Sequence, residues 1–201
     1  MPLVLLLHGA GERGNDNRSQ LANGVMNLLG SETATARFPC FYVLPQCPTN
    51  QRWVDVDWSA ERHILPPQPS AALAATLKLL DSLLDRHPID PQRLYLIGLS
   101  MGAFGVWDLL SRFPERFAAA APICGGGDED ALVAARAVPI WAFHGARDPE
   151  VPVERSRRAI AALRAAGGTP RYTEYAAVGH DAWTNAFAEP AFLHWLFAQR
   201  R

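Results

Sequence analysis

The chain has 201 residues, 49% of them hydrophobic and 19% charged, with a formal net charge of -1. This length accommodates one domain with a continuous core, expected to span residues 1–201, and the composition excludes wholesale disorder. A near-neutral balance supplies no field to draw nucleic acid or an anionic membrane, so neither is expected as a partner.

The first elements follow from apolar runs. Residues 3–7 are continuously apolar, as in a strand covered on both faces of a parallel sheet, and end at His8, Gly9, Ala10 and Gly11. This opening has no basic leader, no cleavage site and too little length to span a bilayer, so a cytoplasmic location is expected. A loop and a short helix over 21–29 come next, then a strand over 41–44 closed by Pro45. Residues 46–69 are loop-like, carrying Trp53, Trp58 and a proline cluster. Ser70 is placed to cap a helix running to about Arg86, with Leu73, Leu77, Leu80 and Leu84 at helical spacing.

Around residue 100 the pattern changes character. An apolar run over 94–99 meets Gly98, Leu99, Ser100, Met101, Gly102. A strand followed at once by a helix over 101–112 puts Ser100 on a sharp turn that lifts its hydroxyl clear of the sheet, and the flanking glycines remove side chains that would collide there. Alone, such a G-x-S-x-G string is weak; between a strand and a helix it marks a candidate nucleophile. Strands are then expected over 117–122, 139–143 and 172–175, with helices over 153–166 and 182–199. Alternating strands and helices predict an α/β fold with a mostly parallel six-stranded sheet and ligands at the carboxyl ends of its strands.

A serine nucleophile needs a base, an acid and oxyanion donors. His180, just past the last strand and preceded by Gly179, is the candidate base. Asp148, in the loop after the strand over 139–143, is the candidate acid, with Glu150 and Asp181 as rivals. Fixed backbone donors for an oxyanion are worth about 10²- to 10³-fold each. One donor is expected from the N–H of Met101, and a second from the first loop, at Ala10 or else Gly11. Trp53 and Trp183, with Gly11, are the candidate substrate-lining residues. Cys40, Cys47 and Cys124 cannot all pair and show no metal-ligand spacing, so reduced structural thiols are expected.

Taken in order, LLLHGAGERG, GLSMGAFG, FHGARDPEVP and GHDAW resemble the α/β-hydrolase superfamily over nearly the whole chain. The combination is similar to small serine esterases of the phospholipase/carboxylesterase, dienelactone hydrolase-like and polyhydroxybutyrate depolymerase-like or feruloyl esterase groups. The resemblance implies Ser100 as nucleophile, His180 as base, Asp148 as acid, Ala10 and Met101 as oxyanion donors, a small-molecule ester as substrate, and neither metal nor cofactor. Dienelactone hydrolases proper carry cysteine at the elbow, which Ser100 does not match. Members of the superfamily usually have strands before the HG segment, so a sheet lacking them, without a large cap, is expected here, and the exposed sheet edge suggests a homodimer. Two other readings stay open: a prolyl oligopeptidase-type peptidase and a catalytically silent binding protein.

Overall fold

The apolar runs assemble, in a computed structural model that describes residues 1–201, into one six-stranded sheet of order β2-β1-β3-β4-β5-β6. In chain order the elements are β1 (Leu3–Leu7), α1 (Val25–Leu29), α2 (Glu32–Arg37), β2 (Phe41–Val43), α3 (Ala71–Arg86), β3 (Leu94–Leu99) and α4 (Met101–Arg112). They continue through β4 (Ala119–Ile123), β5 (Trp141–Gly145), α5 (Glu154–Ala165), β6 (Arg171–Tyr175), α6 (Trp183–Phe187) and α7 (Phe192–Ala198), with short 3-10 turns between. All neighbouring strands pair in parallel, so the sheet is wholly rather than mostly parallel. No helix is long and apolar enough to cross a membrane.

The two faces of the sheet are sorted by residue parity. Leu3, Leu5, Leu7, Leu94 and Leu96 pack on one side with Leu73, Leu77, Phe104, Trp107 and Ile160. Val4, Leu6, Tyr95, Ile97 and Leu99 pack on the other with Val25, Leu28, Phe192 and Leu196. Because β1 and β3 are buried on both faces, their sequences need no polar alternation, which accounts for the unbroken apolar runs.

Several boundaries differ from expectation. The helix expected over 21–29 begins at Val25 and stops at Gly30, and Ser31 caps an additional helix, α2, by accepting from the Ala34 amide. The strands expected over 117–122 and 139–143 lie at Ala119–Ile123 and Trp141–Gly145, carrying His144 into a buried strand position. The single helix expected over 182–199 is two, α6 and α7, broken around Pro190, which has no N–H to continue the ladder.

Strand order places the site. From β1 the chain steps outward to β2, then returns to the other side of β1 for β3. The loops leaving β1 and β3 therefore diverge at the carboxyl edge, and the crevice at such a switch point is where open parallel sheets take ligands.

Candidate active site

Ser100 is held at φ 53° and ψ -121°, a left-handed conformation that few residues other than glycine adopt. Its amide donates to the Ile123 carbonyl at 2.8 Å, tying the turn to β4. A side chain at Gly102 would overlap the Leu7 carbonyl, and one at Gly98 would overlap the Gly102 carbonyl. Both glycines are thus required by the close crossing of β1, β3 and α4.

The Ser100 hydroxyl meets Nε2 of His180 at 2.7 Å. On the opposite side of the ring, Nδ1 of His180 donates to Oδ2 of Asp148 at 2.7 Å. A carboxylate only accepts, so Nδ1 carries the proton and Nε2 is free to accept from the serine. The structure thus brings together residues 100, 148 and 180 from the ends of three different strands. Glu150 instead lines the cleft wall, and Asp181 is exposed with no hydrogen bond to His180.

Asp148 is unusually well supplied with donors. The amides of Glu150 and Val151 both reach Oδ1 at 2.9 Å, while His144 approaches Oδ2 at 3.2 Å beside His180. Burial opposes ionisation most strongly of the single influences, but the bonds from His144, His180 and the Val151 amide together outweigh it and hold the carboxyl well below the usual range. His144 itself is fully buried, with Nδ1 2.7 Å from the Ser156 hydroxyl. Its supporting place has no signal in the sequence, because the apolar run over 139–143 ends one residue before it while the strand continues to Gly145.

The first loop is fixed from behind. Nδ1 of His8 donates to the Gly9 carbonyl at 2.6 Å, Nε2 accepts from the Cys47 amide at 2.9 Å, and the indole of Trp53 donates to the His8 carbonyl at 2.9 Å. Burial pushes the His8 pKa down, in keeping with this neutral tautomer. Ahead of it, Ala10 and Gly11 line the cleft. The cleft measures about 520 Å³ and is also bordered by Glu12, Asn23, Trp58 and Trp183. Trp183 stands edge-on to His180, with ring centroids 5.4 Å apart.

Trp53 is a correction. It is 1% exposed, wedged behind His8 and Gly105, and does not reach the cleft. Trp58 occupies the wall instead, one ring face taken by Arg52 at 4.4 Å. The segment bearing Trp58 is strapped to the core: Arg155 donates to the Ala60 carbonyl at 2.7 Å, the Leu65 amide donates to Asp128 at 2.7 Å, and Arg112 donates to the Pro66 carbonyl at 2.5 Å.

Residues 57–191 match the dienelactone hydrolase family. The chain is 42% identical to a thermostable esterase of known structure, with a TM-score of 0.91 over 100% of this chain and 55% of that one. It is 33% identical over 125 residues to poly(3-hydroxyalkanoate) depolymerase C of Paucimonas lemoignei, covering 62% of this chain and 28% of the depolymerase. It is also 35% identical over 71 residues to the bifunctional acetylxylan esterase/xylanase XynS20E of Neocallimastix patriciarum, covering 35% of this chain and 11% of that protein. The chain therefore spans roughly half or less of the length of each of these proteins.

Proposed function

We propose that this chain, which belongs to the dienelactone hydrolase family and has the α/β-hydrolase fold, is a serine carboxylesterase acting on small or exposed esters. The observation that carries the reading is the unbroken relay from the Ser100 hydroxyl through His180 to Asp148, at 2.7 Å and 2.7 Å, on the rim of an open cleft.

Each step has a group suited to it. Nε2 of His180 takes the hydroxyl proton as Oγ of Ser100 attacks the ester carbonyl. Asp148 fixes the ring's tautomer and stabilises the imidazolium that forms. The N–H groups of Ala10 and Met101 receive the oxyanion. His180 then protonates the departing alcohol, leaving an acyl group on Ser100, and activates a water to release it. The named relatives support ester cleavage: one is an esterase, one a poly(3-hydroxyalkanoate) depolymerase, one an acetylxylan esterase.

The test is Ser100→Ala, with p-nitrophenyl acetate turnover and fluorophosphonate labelling as readouts. The wild type is expected to turn over the ester and take the label, and the variant to do neither. Near-wild-type turnover in the variant would refute the assignment. A wild type that neither labels nor turns over would favour a silent binding protein, and one that cleaves amides better than matched esters would favour a peptidase.

A further inference from the structure

The cleft beside Ser100 holds a carboxylate that the proposed mechanism does not use. Glu12 lines the cleft half-buried: its Oε2 is covered and has no hydrogen-bond partner, and no hydrogen bond engages Oε1, the oxygen left open to a ligand. Buried polar atoms are rarely left so, and a carboxylate oxygen is among the costliest to strand. Nothing nearby answers it. The adjacent Arg13 turns away to donate to the Ala10 carbonyl at 2.8 Å, and no ion pair involves Glu12.

Its position is fixed by the backbone. The Glu12 carbonyl accepts from Gln46 Nε2 at 3.0 Å, which pins the loop and leaves the side chain lying across Gly9. The vacant side-chain position of Gly9 has Glu12 Oε2 at 2.9 Å and Cβ of Ser100 at 3.6 Å, so carboxylate and nucleophile flank one glycine. The cleft wall adds a second carboxylate, Glu150, the carboxamide of Asn23, and the indoles of Trp58 and Trp183, but no lysine or arginine.

Such a lining carries two carboxylates and no lysine or arginine to receive an anionic substrate, and the buried Trp58 Nε1–H, itself without a partner, adds a donor on the facing wall. From this juxtaposition we infer that Glu12 is a specificity-determining residue that accepts a hydrogen bond from a hydroxyl group carried by the ester close to its scissile bond. The inference rests on the esterase reading above. It distinguishes hydroxylated esters from their apolar isosteres: a site built around an acceptor loses a partner when the hydroxyl is absent, and this is the discrimination that binding achieves best. The hydroxyl can sit on the acyl or on the alcohol side, and the two are separable by experiment.

The measurement is a ratio of kcat/KM between isosteric pairs. Hydroxyethyl butyrate against propyl butyrate places the hydroxyl on the alcohol side; ethyl glycolate against ethyl propionate places it on the acyl side. Butyrylcholine against its neutral tert-butyl analogue replaces the hydroxyl with an ammonium. The wild type is expected to prefer the hydroxylated member of one of the first two pairs by about tenfold or more, as for a hydrogen bond to a charged acceptor. In Glu12→Met that ratio should fall toward one. In Glu12→Gln, which keeps an acceptor of the same shape but no charge, it should fall partway, and this variant decides the matter if the methionine one does not fold. Ratios near one in both hydroxyl pairs, a preference confined to the ammonium ester, or a wild-type ratio surviving in both variants would each overturn the inference while leaving the esterase intact. Failure to cleave any of these esters or p-nitrophenyl acetate would instead remove the esterase reading on which it rests.

Discussion

Nε2 of His144 lies 3.2 Å from Oδ2 of Asp148, the same carboxylate oxygen that His180 reaches at 2.7 Å. His144 reaches it from within the core: its own strand, β5, is fully buried at that position, and its other nitrogen faces Ser156, whose hydroxyl donates to the Gly125 carbonyl at 3.0 Å. One imidazole thus belongs to the cleft and the other to the core, and the carboxylate is clamped between them. Removing His144 should leave the Ser156 hydroxyl with the Gly125 carbonyl alone and take one support from Asp148. We expect His144→Ala to lose about 2–4 kcal/mol of stability in urea unfolding, from the cavity and the broken bonds together. Ester turnover should fall roughly tenfold in kcat with little change in KM, because positioning and not binding is lost. Unaltered kcat would mean that the two backbone amides suffice to hold Asp148.

Asp148→Asn should lower kcat by about 10³- to 10⁴-fold, because an amide can donate to Nδ1 of His180 and select the wrong tautomer. The same variant tests stability against pH. A carboxyl held below its unfolded value is ionised in the fold under conditions where the unfolded chain has taken up a proton. Its contribution is complete above the unfolded carboxyl pKa of about 4 and is lost as pH falls below it. Acid unfolding followed by circular dichroism should therefore be less steep in the asparagine variant than in the wild type.

Much of this arrangement is legible in the residues themselves, for identifiable reasons. β1 and β3 announce themselves because burial on both faces enforces an unbroken apolar run, and Ser100 because glycine at 98 and 102 is the only residue that fits the crossing. His180 and Asp148 follow from chain order and strand ends. What sequence patterning misses is set by tertiary hydrogen bonds. His144 is made compatible with the core by Ser156 across a loop and Arg155 by the Ala60 carbonyl far away in the chain, and no local periodicity encodes either partner. The same applies to Trp53 and Trp58, two indoles in one irregular loop, whose opposite fates depend on which one finds the His8 carbonyl.

Gly102→Ala probes the elbow without removing any polar side chain. The added methyl would overlap the Leu7 carbonyl and crowd that of His8, both backbone atoms of a buried strand end that cannot step aside. Overpacking of this kind ordinarily costs about 1–3 kcal/mol, and a backbone collision should exceed it. We expect little soluble protein, or a denaturation midpoint far below wild type. Gly11→Ala is the contrasting control, since a methyl there meets nothing within 4 Å.

His63 should make stability depend on pH in a separate window. Burial first, and the nearby Arg155 guanidinium second, push its pKa down to about 4, with Asp128 and Glu129 opposing. Arg155 donates to Nδ1, so protonating the ring would break that bond and set two cations together. Between about pH 6.5 and 4 the unfolded chain binds a proton that the folded chain refuses, and stability declines as pH falls through that range. The loss should be about 2 kcal/mol after allowance for partial exposure. His63→Gln, which retains an acceptor for Arg155 but cannot titrate, should flatten the slope in urea midpoints measured across the window. An undiminished slope would assign it to other groups.

The two indoles of the long loop offer the cleanest separation of scaffold from site. Trp53 fills a buried space behind the first loop and anchors the His8 carbonyl, so Trp53→Ala should cost about 3–5 kcal/mol and disturb the Ala10 amide only through loss of structure. Trp58 stands in the cleft wall, its ring backed by Arg52 and its segment strapped down by Arg155 and Arg112. Truncating it opens the cleft without removing any strap, so Trp58→Ala should keep most of its stability while shifting KM across a series of acyl lengths, longer chains gaining relative to acetate. Parallel thermal melts and acyl-length profiles distinguish the pair. If Trp58→Ala instead melted early with an unchanged acyl profile, its indole would belong to the packing of the loop and the cleft wall would have to be assigned to Trp183 and Val151.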